Sequence, residues 1–535
     1  MDRRPVTGSW KLAPPHDAAT QGLVVSGFAD LPTGRALMLD FQWEGIGSGA
    51  WLAALETIAP VTNAGGKEAR ATALAFAHAG LTKMGLAHAA LDSFAAPFRE
   101  GMMQEDRLRR LGDRRNGEWQ ETVIPDGPRW SANTAQRGPM KSAAGVAHKA
   151  KTATGHQEEP ITTALTVHAL LLLYDATEDK VEQWAAEVEA MLTAHQIAIV
   201  HTLPLFLRLD EKGIAREHFG FADGVSQPVP FDAAAVVPPD KDTMHGIPLG
   251  DVLLGFVNSH HELPPTPMAP PLEKAADAGL RPHPLADGFL DLGFEGSYIV
   301  VRELKQNVAA FWNSLDAGAD HIRQRDPTNS AHVTADWLAE RAVGRDQDGA
   351  LLCPKGTLVA SGDNAFGFFD RDRHGHGCPV GSHVRRANPR DGLAPDKSQK
   401  ETLLQAANNH RILRRGRKYG TTIADPRTDD GVDRGLLFIC LNTDIGRQFE
   451  FVQQTWLLNH NFATLYDETD PLLGPKGTMT VRDGVLRRRV DVETYIQMVG
   501  GDYFFLPSMA ALRYLAALPS PGHIDDEGME AVPPD

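Results

Sequence analysis

The sequence predicts an α+β protein, because strand-like apolar runs are followed repeatedly by amphipathic helices. The nearly continuous apolar run 163–174 indicates a buried strand. Thr177 can cap the next helix, whose apolar residues recur at helical spacing: Val181, Trp184, Ala185, Val188, Met191 and Leu192. Residues 297–304 predict another strand, followed by a helix with one apolar face: Val308, Phe311, Trp312 and Leu315. Two such units in 535 residues indicate two α+β domains.

Two further strands are predicted from short apolar runs, at 203–209 and at 435–441. The second of them is followed by apolar residues at steps of 0, 3 and 7, which indicates one face of a helix: Phe449, Val452 and Trp456.

The Pro- and Ala-rich stretch 262–285 is interpreted as a long exposed connection rather than a packed element. We place the N-terminal domain at 1–215 and the C-terminal domain, which includes this connection, at 216–515. An acidic tail follows at 516–535, and its composition predicts disorder.

The charge balance excludes several classes of partner. A net charge of −16 argues against nucleic acid and anionic membranes, and no window approaches the roughly 18 apolar residues of a membrane span. The three cysteines form no Cys-x-x-Cys pair, which fits a reducing compartment: Cys353, Cys378 and Cys440. The paired arginines Arg3 and Arg4 precede no apolar stretch, so we expect a cytoplasmic protein.

The most informative motif is the run 220–228, in which Asp223 stands among glycines. Gly220 and Gly224 permit backbone angles that other residues avoid and allow a bulky group to approach closely. An ordinary turn explains Asp-Gly equally well when the motif is taken alone.

Residues 374–383 hold His374, His376, Cys378 and His383 in a glycine-rich loop. Such clustering suggests a zinc site, although a loop does not present ligands at helical spacing. Two basic runs, 383–390 and 410–420, stand out in an acidic protein. They indicate either a solvated basic face or a site where fixed guanidinium groups stabilise developing negative charge. No aromatic residues alternate with these arginines, which argues against nucleic acid.

Several blocks occur in an order that resembles the dye-decolorizing peroxidases. These are Gly220-x-x-Asp223-Gly224, then Gly-Ser-His-Val-Arg-Arg-Ala-Asn-Pro-Arg at 381–390, then Arg-Ile-Leu-Arg-Arg-Gly at 411–416, continuing to Tyr-Gly at 419–420. Later blocks that resemble the family are 435–440, 449–453 and 500–507. The resemblance covers roughly residues 200–510, and its specificity rests on the order of separate motifs.

The resemblance implies two ferredoxin-like domains, with antiparallel sheets and peripheral helices, and one haem b per chain in the C-terminal half. It implies that His383 binds the iron, that Asp223 and Arg414 lie on the opposite, distal face, and that Glu450 accepts a hydrogen bond from His383. Arg411 and Arg415 compete with Arg414 for the distal role.

The implied reaction is reduction of hydrogen peroxide, through a ferryl intermediate, with oxidation of dyes, phenols or similar donors. Mn(II) is a further donor to test. The sequence leaves the oligomeric state open, and exposed apolar helices are compatible with a homo-oligomer. Asp223 can transfer the peroxide proton while Arg414 stabilises charge. A carboxylate base predicts activity that reaches into acid pH, where a histidine base would be protonated.

Two other functions are consistent with parts of the sequence. A haem carrier or iron-release protein needs His383 but neither Asp223 nor Arg414. A zinc protein would use the histidines and cysteine of 374–383. Electron transfer through surface aromatic residues is a further hypothesis, with these candidates: Tyr419, Trp456, Tyr495 and Tyr503.

Overall fold

The computed structural model describes residues 10–66, 69–115, 118–120, 123–125, 127–132, 165–232, 244–352 and 364–519. The predicted tail lies outside these ranges from residue 520 onward.

The strands of the described ranges are β1 (Thr33–Phe41), β2 (Ala71–Phe76), β3 (Arg114–Arg115), β4 (Glu118–Trp119), β5 (Trp130–Ser131), β6 (Leu165–Thr166), β7 (Ala169–Asp175), β8 (Ile197–Phe206), β9 (Val229–Phe231), β10 (Gly246–Pro248), β11 (Met268–Ala269), β12 (Leu290–Asp291), β13 (Ser297–Gln306), β14 (Leu413–Arg414), β15 (Arg417–Tyr419), β16 (Gly435–Asn442), β17 (Gly477–Asp483), β18 (Leu486–Val492) and β19 (Ile496–Leu506).

The α-helices of the same ranges are α1 (His16–Ala19), α2 (Trp51–Ile58), α3 (His78–Lys83), α4 (His88–Ser93), α5 (Ala96–Glu100), α6 (Glu105–Leu111), α7 (Glu178–Ala194), α8 (Val308–Arg325), α9 (Ala335–Val343), α10 (Phe368–Asp372), α11 (His383–Ala387), α12 (Lys400–Asn408) and α13 (Met509–Ala516).

Two antiparallel sheets with the same strand order form the centre of the molecule. The first sheet has the order β8-β1-β7-β2, and the second has the order β15-β16-β13-β19. When the strands of each sheet are numbered by their order in the chain, their order in space is fourth, first, third, second. In the first half, helix α2 follows β1 and helix α7 follows β7. In the second half, helix α8 follows β13 and the helical turns at 446–450 and 452–457 follow β16. Both halves therefore have β-α-β-β-α-β connectivity.

The two sheets join along both edges. Lys418 on β15 pairs with Phe206 on β8, and Phe505 on β19 pairs with Phe76 on β2, which closes the described strands into a ring. One face of this ring packs an interior core that contains Ile299. The opposite face packs against helices, because side chains alternate between the two faces of a strand.

The strand–helix predictions hold with small changes. The run 163–174 divides into β6 and β7, and 203–209 corresponds to the end of β8, which stops at Phe206. Helix α7 begins after Thr177, although that side chain makes no capping hydrogen bond. In α8, by contrast, the Asn307 side chain accepts a hydrogen bond from Ala310 N, and all four apolar residues of the predicted face are buried.

The helical segment after β16 is wound more widely than predicted. Residues 446–450 and 452–457 form π-helical turns, in which an additional residue per turn changes which side chains align. Phe449, Val452 and Trp456 are nevertheless all buried, so the predicted apolar face is correct.

The prediction for 262–285 is wrong in part. Within this stretch β11 forms and pairs with β12, which lies just beyond it, and residues 273–278 form helical turns that pack against α13. Ala269, Ala275 and Ala278 are buried in the main core. Alanine is small enough to let the backbone approach the core, which the proline content alone does not reveal.

The strands of the first sheet lie within 1–215 and those of the second within 216–515. The division into two domains at these bounds stays a prediction. None of the described helices combines the length and the hydrophobicity required to cross a membrane.

Candidate active site

A cavity of about 660 Å³ lies against the outer face of the second sheet. Strand β13 contributes Arg302, Leu304 and Gln306 to its wall. The other walls come from the loop after β8, from helix α11 and from the π-helical segment. Residues 109–115, which comprise the end of helix α6 and the residues just after it, close a further side. Both parts of the chain therefore contribute to the cavity.

His383 is the first residue of α11 and lines the cavity. Its Nδ1 atom lies 3.0 Å from Oδ2 of Asp470, which is completely buried. Oδ1 of Asp470 accepts the backbone N–H groups of Leu472 and Leu473, each at 2.9 Å. Because Asp470 holds Nδ1, the nitrogen that can bind a cofactor in the cavity is Nε2.

The charges of this pair shift both pKa values. Burial by itself lowers the pKa of His383, but the charge and the hydrogen bond of Asp470 outweigh it and raise the pKa above its ordinary value. Burial raises the pKa of Asp470, and the interactions with His383 and the backbone N–H groups reverse this, so its pKa is lowered. Asp470 therefore stays ionised and keeps the ring oriented.

Asp223 also lines the cavity, in a turn between β8 and β9. Gly220 and Gly224 have φ values of 100° and 72°, in the left-handed region that favours glycine. A Cβ atom at either glycine would meet no protein atom within 4 Å. The glycines are therefore explained by backbone conformation, and not by close packing of the chain around them.

Arg414 lies beside Asp223 in the cavity wall. Its Nη1 atom lies 3.7 Å from Oδ1 of Asp223, and both side chains are more than one third exposed. The side chain of Gln227 accepts a hydrogen bond from Arg414 N and donates one to Arg414 O, both at 3.1 Å. Gln227 thereby joins the motif at 220–228 to strand β14, a contact that sequence reasoning missed.

The competing arginines differ in their surroundings. Arg415 is buried and donates to the carbonyl oxygens of Leu23 and Val24, at 2.9 and 2.7 Å. These bonds hold its guanidinium group away from the cavity, and Arg415 is not among the lining residues. Arg411 does line the cavity, where it donates to Met244 O. Arg414 is the one whose guanidinium group forms an ion pair with Asp223.

The expectation for Glu450 is wrong. Its buried carboxylate accepts hydrogen bonds from Arg107 Nη1 at 2.6 Å and from the Tyr503 hydroxyl at 2.8 Å. The carboxylate behind His383 is Asp470 instead. The wider π-helical turn places Phe449 and Val452 at the cavity and aims Glu450 toward helix α6.

The zinc hypothesis for 374–383 does not hold either. Within the described ranges no three His, Cys, Asp or Glu side chains are grouped so that they could hold a metal ion. Asp372 orders this loop by accepting the N–H groups of His376, Gly377 and Cys378. Burial raises the pKa of the Cys378 thiol to about 11, so the sulfur stays protonated and is a poor ligand.

The four aromatic residues considered as surface electron-transfer sites are all buried: Tyr419, Trp456, Tyr495 and Tyr503. They therefore belong to the core, and contact with a bulky donor at the surface does not involve them directly. Tyr503 in particular is bonded to Glu450, as described above.

The residues of the cavity fit a haem. Its apolar lining suits a flat macrocycle and includes Leu304, Val384, Ile412, Phe438, Val452 and Met498. Arg302 Nε and Asn388 Oδ1 are buried at its wall and have no hydrogen-bond partner among the described residues, as expected where a ligand completes the site. A histidine backed by a buried carboxylate is a common arrangement for a metal ligand.

Comparison with known proteins agrees with this arrangement. No protein-family model matches the chain. It is 31% identical over 373 residues to the multifunctional dye peroxidase DyP2 of Amycolatopsis sp., a match that covers 65% of this chain and 71% of that protein. It is 29% identical over 379 residues to the dye-decolorizing peroxidase msp1 of Mycetinis scorodonius, covering 65% of this chain and 66% of that protein.

Solved structures share the fold. The DyP-type peroxidase AnaPX from Anabaena sp. superposes with a TM-score of 0.66 at 22% identity, over 94% of this chain and 95% of that one. DyP2 from Amycolatopsis sp. gives a TM-score of 0.63 at 23% identity, over 95% and 98%. This confirms the predicted α+β fold of two ferredoxin-like domains. The chain therefore belongs to the dye-decolorizing peroxidases, which are oxidoreductases that act on peroxide.

Proposed function

We propose that this chain binds one haem b and uses it to reduce hydrogen peroxide at the expense of dyes, phenols or similar one-electron donors. The observation that carries the proposal is one cavity lined by His383, which Asp470 orients, and by the pair Asp223–Arg414. A solved structure of similar fold, at 24% identity, is a dye-decolorizing peroxidase in complex with 2,6-dimethoxyphenol. This complex supports phenols as donors to test.

His383 would hold the haem iron through Nε2, and the haem supplies the oxidation chemistry when bound. Asp470 accepts the hydrogen bond from Nδ1–H, which fixes the tautomer of the ring and makes His383 a stronger donor to the metal. Because backbone N–H groups hold Asp470 in turn, the orientation of His383 does not depend on solvent.

On the other side, Asp223 would take a proton from one peroxide oxygen and return it to the second oxygen, so that water can leave. A positioned base of this kind contributes roughly 10²- to 10⁴-fold to a rate. The guanidinium group of Arg414 would stabilise negative charge that develops on the peroxide. Its hydrogen bonds to Gln227 and Ser226 keep this charge near Asp223.

The absorption spectrum of haem-supplemented protein tests the proposal. Wild type should show a strong Soret band, and His383→Ala should lose it. His374→Ala is the matched control, because His374 lies in the loop just before α11 and should leave the band unchanged. A wild-type protein without a Soret band after supplementation would refute the proposal. Steady-state assays with a dye, a phenol and Mn(II) then identify the electron donor.

A further inference from the structure

Glu217 is a carboxyl group in the cavity wall to which neither the sequence motifs nor the mechanism above assigns a role. Its side chain turns back over its own loop, where Oε2 accepts Phe219 N–H at 2.8 Å and Oε1 accepts Phe221 N–H at 2.9 Å. Its backbone N–H also donates to Phe221 O at 3.0 Å. Glu217 therefore holds the loop that leads to Asp223.

The third partner of Glu217 is Gln306 at the end of β13, whose Nε2 atom donates to Oε2 at 2.6 Å. Gln306 is 4% exposed, and its Oε1 atom has no hydrogen-bond partner among the described residues. The two ends of an amide exchange places by rotation about one bond. In the rotated form, Oε1 of Gln306 can accept a hydrogen bond from a protonated Glu217.

The pair is thus able to satisfy both protonation states of Glu217. When Glu217 is ionised, the NH₂ group of Gln306 donates to it; when Glu217 is protonated, the unpartnered oxygen of Gln306 accepts its O–H. A buried polar atom left unpaired costs about 1–3 kcal/mol, and Gln306 spares the Glu217 carboxyl group this cost in either state.

The charged groups near Glu217 come from three elements. Asp223 lies on the same loop, Lys418 lies on β15 and His383 lies on α11, and each interacts electrostatically with Glu217. Burial raises the pKa of Glu217 to about 7, and Asp223 adds to the rise, while hydrogen bonds from Phe219, Phe221 and Gln306 oppose it. Glu217 therefore exchanges its proton near neutral pH.

We propose that Glu217 is a proton-storing and positioning residue of this peroxidase, which keeps a proton against Gln306 and passes it toward Asp223. The inference rests on the proposed function. Reduction of one peroxide to two waters takes up two electrons, which the reductant supplies, and two protons. In one such transfer the Glu217 O–H bond breaks, the proton leaves toward Asp223, and the carboxylate keeps its hydrogen bonds to the loop. Solvent then returns the proton to Glu217.

Infrared spectroscopy of the full-length protein tests this directly. Wild type minus Glu217→Gln should show one protonated carboxyl stretch that disappears with a midpoint near pH 7. In Gln306→Leu the midpoint should move to higher pH, because the ionised form loses a charge-assisted hydrogen bond. Asp251→Asn is the control: burial raises the pKa of Asp251 to about 6, but this carboxyl does not line the cavity.

Kinetics of the haem-loaded protein show whether the stored proton is used. Turnover at saturating peroxide and reductant should lose its pH dependence near pH 7 in Glu217→Gln and retain it in Asp251→Asn. Two results overturn the inference: a difference spectrum without a titrating carboxyl, or a titrating carboxyl whose removal leaves the pH profile unchanged. A missing Soret band contradicts the proposed function instead, and the infrared titration remains interpretable without haem.

Discussion

Asp470 and Asp223 are the carboxylates on the two sides of the cavity, yet Asp470 is completely buried whereas the Asp223 side chain is 40% exposed. Asp470 has three partners within 3.0 Å, namely the His383 ring and two backbone N–H groups. Among the described residues, the Asp223 side chain accepts the backbone N–H of its neighbour Gly224 at 2.6 Å and lies 3.7 Å from Arg414.

The difference fits the roles proposed for the two sides. A group that orients a metal ligand must be fixed and must stay ionised, and burial with complete hydrogen bonding achieves both. A group that moves a proton must keep lone pairs open to the substrate, so it cannot be saturated by protein donors. Substitution of Asp223 should therefore slow the reaction with peroxide, whereas substitution of Asp470 should weaken the binding of haem.

The largest effect is expected for Asp223→Asn. The amide cannot accept and return the peroxide proton, so the rate of reaction with peroxide should fall roughly 10²- to 10⁴-fold. Haem content and melting temperature should stay the same, because the Asp223 side chain is 40% exposed and its ion pair with Arg414 is exposed as well. Stopped-flow measurements give the rate, and Glu211→Gln, a nearby exposed carboxylate, should leave it unchanged.

Asp470→Asn should weaken haem binding on the His383 side of the cavity, and its effect should be smaller than that of Asp223→Asn. The amide keeps the size of the side chain but loses the charge that orients His383, and loss of such a partner typically costs roughly 10- to 100-fold in metal affinity. Haem transfer to an apoprotein acceptor measures the change. Glu468→Gln is the matched control, because this buried carboxylate contacts Thr480 rather than His383. Equal haem loss in both variants would contradict the role of Asp470.

Gln227→Ala should have a smaller effect, which lowers both the free energy of unfolding and the rate of the reaction with peroxide. The substitution leaves Arg414 N and O without their side-chain partner, at a cost of about 1–3 kcal/mol. Arg414 then loses its fixed position, so the reaction with peroxide should slow while haem stays bound. Urea unfolding measures the loss of stability. In the control Gln405→Ala, at an exposed glutamine, the free energy of unfolding should stay within about 0.5 kcal/mol of wild type.

The smallest effect concerns the pH dependence of stability. Because the folded state raises the pKa of Glu217 from 4.5 to about 7, folding takes up a proton between these values. The contribution of Glu217 to stability is complete below pH 4.5 and is lost as pH rises to about 7. Melting temperatures measured at pH 5 and pH 8 should therefore differ less in Glu217→Gln than in wild type.

Local sequence patterns predicted much of the fold because they act over short distances. Apolar spacing identified α7, α8, β13 and β16, and the prediction failed at 262–285, where alanines reach the core from a proline-rich stretch. The two edge pairings that close the ring join Phe206 to Lys418, 212 positions apart, and Phe76 to Phe505, 429 positions apart, and no periodicity indicates them.

The site divides in the same manner. The sequence by itself, through blocks that resemble a known family, predicted Asp223, His383 and Arg414 as site residues, with Arg411 and Arg415 as competitors of Arg414. The tertiary structure decided their partners: Asp470 lies 87 positions from His383, and Gln306 lies 89 positions from Glu217. A hydrogen bond depends on distance and direction in space, and an ordinary Asp or Gln acquires its role only where folding buries it beside a second polar group.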